Sequence, residues 1–66
     1  MELSQKLKNS ALQVAITKNI KVLYATTKDE LFEDKSLALR SVSNRPDNVL
    51  KLVYRNGQIT VSDINS

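Results

Sequence analysis

Cysteine and histidine are both missing from the 66 residues, and glycine and proline occur once each. Without Cys there is no disulfide and no thiolate zinc site, and without His no imidazole ligand, so the usual staples of a very small domain are excluded. The same absences remove the base of Ser-His-Asp and Cys-His catalysis. They also remove any side chain that titrates near neutrality without a strong perturbation. A lone glycine cannot build a phosphate cradle of the G-x-x-x-x-G-K-S/T or G-x-G-x-x-G kind. Carboxylate chemistry is left, but a domain this size has little room for a closed cleft. No apolar run approaches the ~20 residues that cross a bilayer, and Met1-Glu2-Leu3-Ser4-Gln5 lacks the basic region and apolar stretch of a secretory signal. The expectation is therefore a non-enzymatic protein of the cytoplasm, with no cofactor, no metal, no membrane and no small-molecule substrate.

A chain this short reads as one domain, residues 1–66. At ~60 residues only about 60% of the unfolded surface is buried on folding. With the covalent and metal staples excluded, association into a homodimer is expected to supply part of the stability. Ten Lys/Arg face seven Asp/Glu, for a net charge of +3, and they are unevenly spread. Residues 1–28 carry +4, residues 29–36 carry −3 through Asp29, Glu30, Glu33 and Asp34, and residues 37–66 carry +2.

The strongest local signal lies near the C-terminus. Val49-Leu50-Lys51-Leu52-Val53-Tyr54, then Arg55-Asn56-Gly57-Gln58, then Ile59-Thr60-Val61-Ser62 reads as a β-hairpin. Asn-Gly suits a two-residue type I′ turn, in which both central residues need positive φ. The register follows: Arg55 opposite Gln58, Tyr54 opposite Ile59, Val53 opposite Thr60, Leu52 opposite Val61. Alternation puts Leu50, Leu52, Tyr54, Ile59 and Val61 on one face and Lys51, Val53, Arg55, Gln58, Thr60 and Ser62 on the other. One apolar and one polar face predict a sheet covered on one side, with the strand at 49–54 offering a free edge to a symmetry mate.

Upstream, Leu3, Leu7, Ala11 and Val14 fall on one helical stripe, with Leu12 and Ile16 outside it. Two readings stay open: a helix through this segment, or a helix ending near Ala11 with 12–17 as a strand turning at Lys18-Asn19. Ile20-Lys21-Val22-Leu23-Tyr24-Ala25 is rich in strand formers. Thr27-Lys28-Asp29-Glu30 has the form of a capping box, which predicts a second helix from Thr27 presenting Leu31, Phe32, Ala38, Leu39 and Val42 inward. Lys35 interrupts that stripe, so a helix stopping near Asp34 with 36–42 extended is the alternative. Pro46 and its polar neighbours make 43–48 a loop. The fold class is α+β: N-terminal helix, short strand, second helix, C-terminal antiparallel hairpin. The alternative is a short helix followed by a small five-stranded β-barrel.

Helix, strand, helix and hairpin in that order resemble a reduced winged-helix or Cro-like layout, in which a helix enters the major groove beside a hairpin. The alternative order resembles the Sm-like architecture. Between residues 13 and 28, Ala15 and Ile20 suit a helix-turn-helix, but Asn19 stands at its turn glycine and strand formers follow. The element-order resemblance implies a DNA-binding regulatory protein, with Lys18, Lys21, Arg40, Arg45, Lys51 and Arg55 as candidate phosphate contacts. Single-strand binding would need aromatic platforms, and the only aromatics are Tyr24, Phe32 and Tyr54, the last on the apolar face of the hairpin. The competing class is a protein-interaction module, a small inhibitor or adaptor acting as a homodimer. The acidic residues 29–34 read as a solvated helix start rather than a cation site.

Overall fold

Ser4 starts the first helix: its Oγ accepts the Leu7 N–H at 3.1 Å, which satisfies one of the free amides of the first turn. In the computed structural model, which describes residues 3–65, this helix, α1 (Gln5–Lys18), runs unbroken through residues 12–17. It ends at Asn19, which takes the left-handed conformation with φ 55°. The helical reading of residues 12–17 therefore holds. Leu7, Ala11 and Ala15 are its buried stripe, while Ile16 is 54% exposed.

The chain then enters β1 (Val22–Thr26) and turns through residues 27–30 into β2 (Leu31–Phe32). This is where the capping-box reading fails. The Thr26 N–H donates to the Glu30 carbonyl and the Asp29 N–H to the Thr26 carbonyl, closing a three-residue hairpin connection with Asp29 at φ 60°. The buried Thr26 hydroxyl, not that of Thr27, accepts a local backbone N–H, from Lys28 at 3.2 Å. The second helix, α2 (Lys35–Ser41), begins eight residues after Thr27, and Asp34 caps it by accepting the Ser36 N–H at 2.8 Å. Residues 36–41 are thus helical rather than extended. Lys35 opens the helix instead of interrupting it, which removes the defect in the stripe.

A 3-10 turn (Pro46–Asn48) leads into β3 (Val49–Arg55), paired with β4 (Gln58–Asp63) in the register given by the Asn-Gly turn. Asn56 and Gly57 have φ of 53° and 79°, as a type I′ turn requires. β1 pairs antiparallel with both β2 and β3, giving one open four-stranded sheet in the order β2-β1-β3-β4. The architecture is α+β, and the sheet does not close into a barrel. β3 lies inside the sheet between β1 and β4, so the free edge expected at residues 49–54 falls instead on β4.

Strand alternation divides the core in two. Leu23, Ala25 and Leu52 form one cluster with Leu7, Ala11 and Ala15 of α1, joined by Tyr54, Ile59 and Leu31. Alanine at three of those positions lets the helix lie close on the sheet. On the opposite face Val49 packs with Ala38 and Val42 of α2, with Ile64, and with Tyr24 and Phe32. The sheet is therefore covered on both faces, completely by neither helix, which corrects the one-sided expectation. The two helices lie on opposite sides of the sheet, so the winged-helix resemblance ends at the order of elements.

Candidate nucleic-acid interface

α2 packs on β1 and β2. Together with Ile64 it covers the end of its sheet face that carries Val49 and Tyr24. The other end of that face, over β3 and β4, keeps Arg55, Gln58 and Thr60 exposed and Lys51, Val53 and Ser62 half-buried. Cross-strand register fixes the neighbours. Lys51 sits between Tyr24 and Ser62, Val53 between Val22 and Thr60, and Arg55 opposite Gln58. Asp63 falls on the opposite face with Leu50 by alternation, so this patch carries two cations and, among the described residues of β3 and β4, no carboxylate. Four residues along one strand put the Cα atoms of Lys51 and Arg55 about 13 Å apart.

The remaining candidate cations divide between the ends of the sheet. The Tyr54 N–H donates to the Lys21 carbonyl at 2.8 Å, which holds Lys21 at the Arg55 end. Lys18, in the last turn of α1, lies 3.9 Å from Glu33 with both side chains more than half exposed. A pair so exposed contributes little to stability. Arg40 and Arg45 lie at the far end. Ser41, next to Arg40, donates to the Glu30 carboxylate at 2.6 Å, and Arg45 leads into the turn before Val49. β3 spans ~20 Å between these ends. The fold thus sets Lys51 and Arg55 on one face of β3, puts Lys21 across from Tyr54 of the other face, pairs Lys18 with Glu33, and leaves Arg40 and Arg45 at the far end of the sheet.

No protein-family model matches the chain, and no curated protein or solved structure is significantly similar to it. The surface must therefore be read on its own geometry. Among the described residues no group of three or more His, Cys, Asp or Glu side chains is placed to hold a metal ion. Asp29, Glu30, Glu33 and Asp34 are dispersed over a turn, a strand end and a helix cap rather than one helix face. A hollow of about 170 Å³ between the start of α1 and Asp29 is ringed by Ser4, Lys6 and Ser10, all exposed, over the buried Leu7. No helix among the described residues is long and apolar enough to cross a membrane.

Sequence reasoning missed the part played by Tyr24 and Phe32. They stand side by side on β1 and β2 and line the seat of α2. The signal for this was present in Leu31-Phe32, an apolar pair between two acidic pairs, but two residues are too few for periodicity to register as a strand. Tyr54 lies in the α1 cluster, as its place on the apolar face implied.

Proposed function

We propose that the chain is a small non-enzymatic DNA-binding domain of the cytoplasm with a regulatory role, in which the open end of the β3–β4 face meets the phosphate backbone. What supports this reading is the placement of Lys51 and Arg55 on one face of β3 by strand alternation, with the Lys21 backbone held at the Arg55 end. Phosphate contacts of this kind fix the position of a protein on a duplex, and a β-ribbon is one of the elements that reach it. The lack of His and Cys supports the non-enzymatic half of the reading, and the lack of Cys its reducing compartment.

The experiment is a salt titration of binding to a labelled duplex. Each neutralised phosphate contributes about −0.9 to the slope of log K against log salt. Lys51→Ala and Arg55→Ala should each make the slope shallower by about 0.9, while Arg45→Ala leaves it unchanged. Absence of binding at low salt, or a slope near zero, refutes the proposal.

A second reading, a protein-binding inhibitor or adaptor, has its own observation. Ile16 on α1 and Leu37 on α2 are 54% and 47% exposed, large apolar side chains presented from helix surfaces. Binding whose affinity responds to Leu37→Ala and not to salt would favour it over DNA.

A further inference from the structure

The longer of the two outer strands of the sheet is β4, and its backbone is oriented for another strand. In a two-residue hairpin the pair flanking the turn, Arg55 and Gln58, exchanges hydrogen bonds, and so by alternation do Val53 with Thr60 and Lys51 with Ser62. The Tyr54 N–H donates away from β4, to Lys21, which confirms the alternation. The N–H and C=O groups of Ile59 and Val61 therefore point outward from the sheet. Edges of this kind are usually blunted by Lys, Pro, a bulge or extreme shortness. Gln58-Ile59-Thr60-Val61-Ser62 has no charge and no proline, pairs with β3 without a bulge, and leaves Val61 37% exposed.

We propose that β4 pairs antiparallel with β4 of a second copy of this chain, about a two-fold axis at Thr60, extending the four strands into a continuous eight-stranded sheet. The register is chosen by self-complementarity. With Thr60 opposite Thr60 of the second copy, Ile59 meets Val61, Val61 meets Ile59, and Gln58 meets Ser62. The four outward backbone groups of Ile59 and Val61 then bond reciprocally. Shifting the axis to Val61 sets Ile59 against Asp63, and shifting it to Ser62 sets Val61 against Asp63, so both alternatives place an apolar side chain against a carboxylate. A groove beside this edge gives the second copy more than a backbone to meet: Leu12 and Lys8 of α1 line it with Gly57, Gln58 and Ile59. A two-fold perpendicular to the sheet keeps like faces together, so Lys51 and Arg55 of both copies share one side. The dimer stands independently of any nucleic acid, and its test needs none.

Sedimentation velocity over micromolar to millimolar concentration should show a monomer–dimer equilibrium, and Val61→Lys should weaken it by roughly tenfold or more. The axis is tested by cysteine placement in a chain with no cysteine of its own. Thr60 and its mate form a non-hydrogen-bonded pair with Cα atoms about 4.5 Å apart, within the range a disulfide spans. Thr60→Cys should cross-link rapidly under a mild oxidant, and Asn56→Cys in the exposed turn only slowly. A strict monomer at millimolar concentration overturns the proposal, and so does equal cross-linking at positions 56 and 60. Because Thr60 is exposed, the cysteine variant decides the matter even if Val61→Lys fails to fold.

Discussion

Three substitutions around the β1–β2 turn separate the observed fold from the helix that Thr27-Lys28-Asp29-Glu30 suggests. Thr26 is fully buried and its hydroxyl accepts the Lys28 N–H at 3.2 Å. Thr26→Val keeps shape and strand propensity and removes that bond. A net hydrogen bond contributes about 0.5–1.5 kcal/mol, and Lys28 is exposed enough for water to take over its amide, which sets the cost at about 1 kcal/mol. Asp34→Ala removes the N-cap of α2, again at about 1 kcal/mol. For a domain of this size each loss lowers Tm by roughly 4–8 °C. Thr27 is exposed and its side chain makes no bond in this turn, so Thr27→Ala should lie within about 0.5 kcal/mol of the parent. Thermal unfolding followed by far-UV circular dichroism reads all three. A helix starting at Thr27 demands the reverse pattern, with Thr27→Ala costly and Asp34→Ala silent, and that pattern would refute the assignment of β2.

Two further substitutions test the hairpin and the core. Gly57 holds φ 79° with nothing within 4 Å of where a Cβ would stand, so Gly57→Ala meets conformational strain and no clash. It should cost about 1–2 kcal/mol in urea unfolding while the slope with denaturant stays unchanged. Leu52, 1% exposed on the central strand beneath α1, should lose about 2–5 kcal/mol as Leu52→Ala. Against a total of about 3–10 kcal/mol for 66 residues, that variant should be partly unfolded at room temperature, measurable by loss of amide protection. A cooperative, near-native transition in Leu52→Ala would place the core elsewhere.

How far the sequence discloses this fold depends on how local each determinant is. Asn56-Gly57 sets a turn type and, through it, the register of six cross-strand pairs, so the hairpin was readable. The start of α1 was readable for the same reason, since Leu3, Leu7, Ala11 and Val14 recur at helical spacing. β2 was not, because Leu31-Phe32 becomes a strand only through β1, and the residues before it satisfy a helix-start pattern as well as a turn. The true cap, Asp34, stands before a helix of seven residues, too short for a stripe to betray where it starts. The grouping of the candidate cations was half readable. Lys51 and Arg55 share a face by simple alternation within one strand. Lys21 reaches the Arg55 end of the sheet only because β1 pairs with β3, and Arg40 and Arg45 lie apart because α2 and the turn after it sit at the other end of that ladder. The free edge was assigned to the wrong strand for the same cause: nothing local says that β1 will lie beside residues 49–53.

That central ladder also governs how the chain can reach its native state. β3 and β4 are separated by two residues, but β1 and β3 are joined between partners from 23 positions apart (Thr26 and Val49) to 31 (Val22 and Val53). Closing a segment of that length costs about 3 kcal/mol of chain entropy before any of its contacts form. The hairpin is a low-contact-order element and the β1–β3 pairing a high-contact-order one, so the barrier to folding belongs to the second. Both hydrophobic clusters draw on β1 and β3, through Leu23 and Leu52 on one side and Tyr24 and Val49 on the other. Neither helix has its full seat until that single closure is made, which binds two spatially separate cores into one cooperative event.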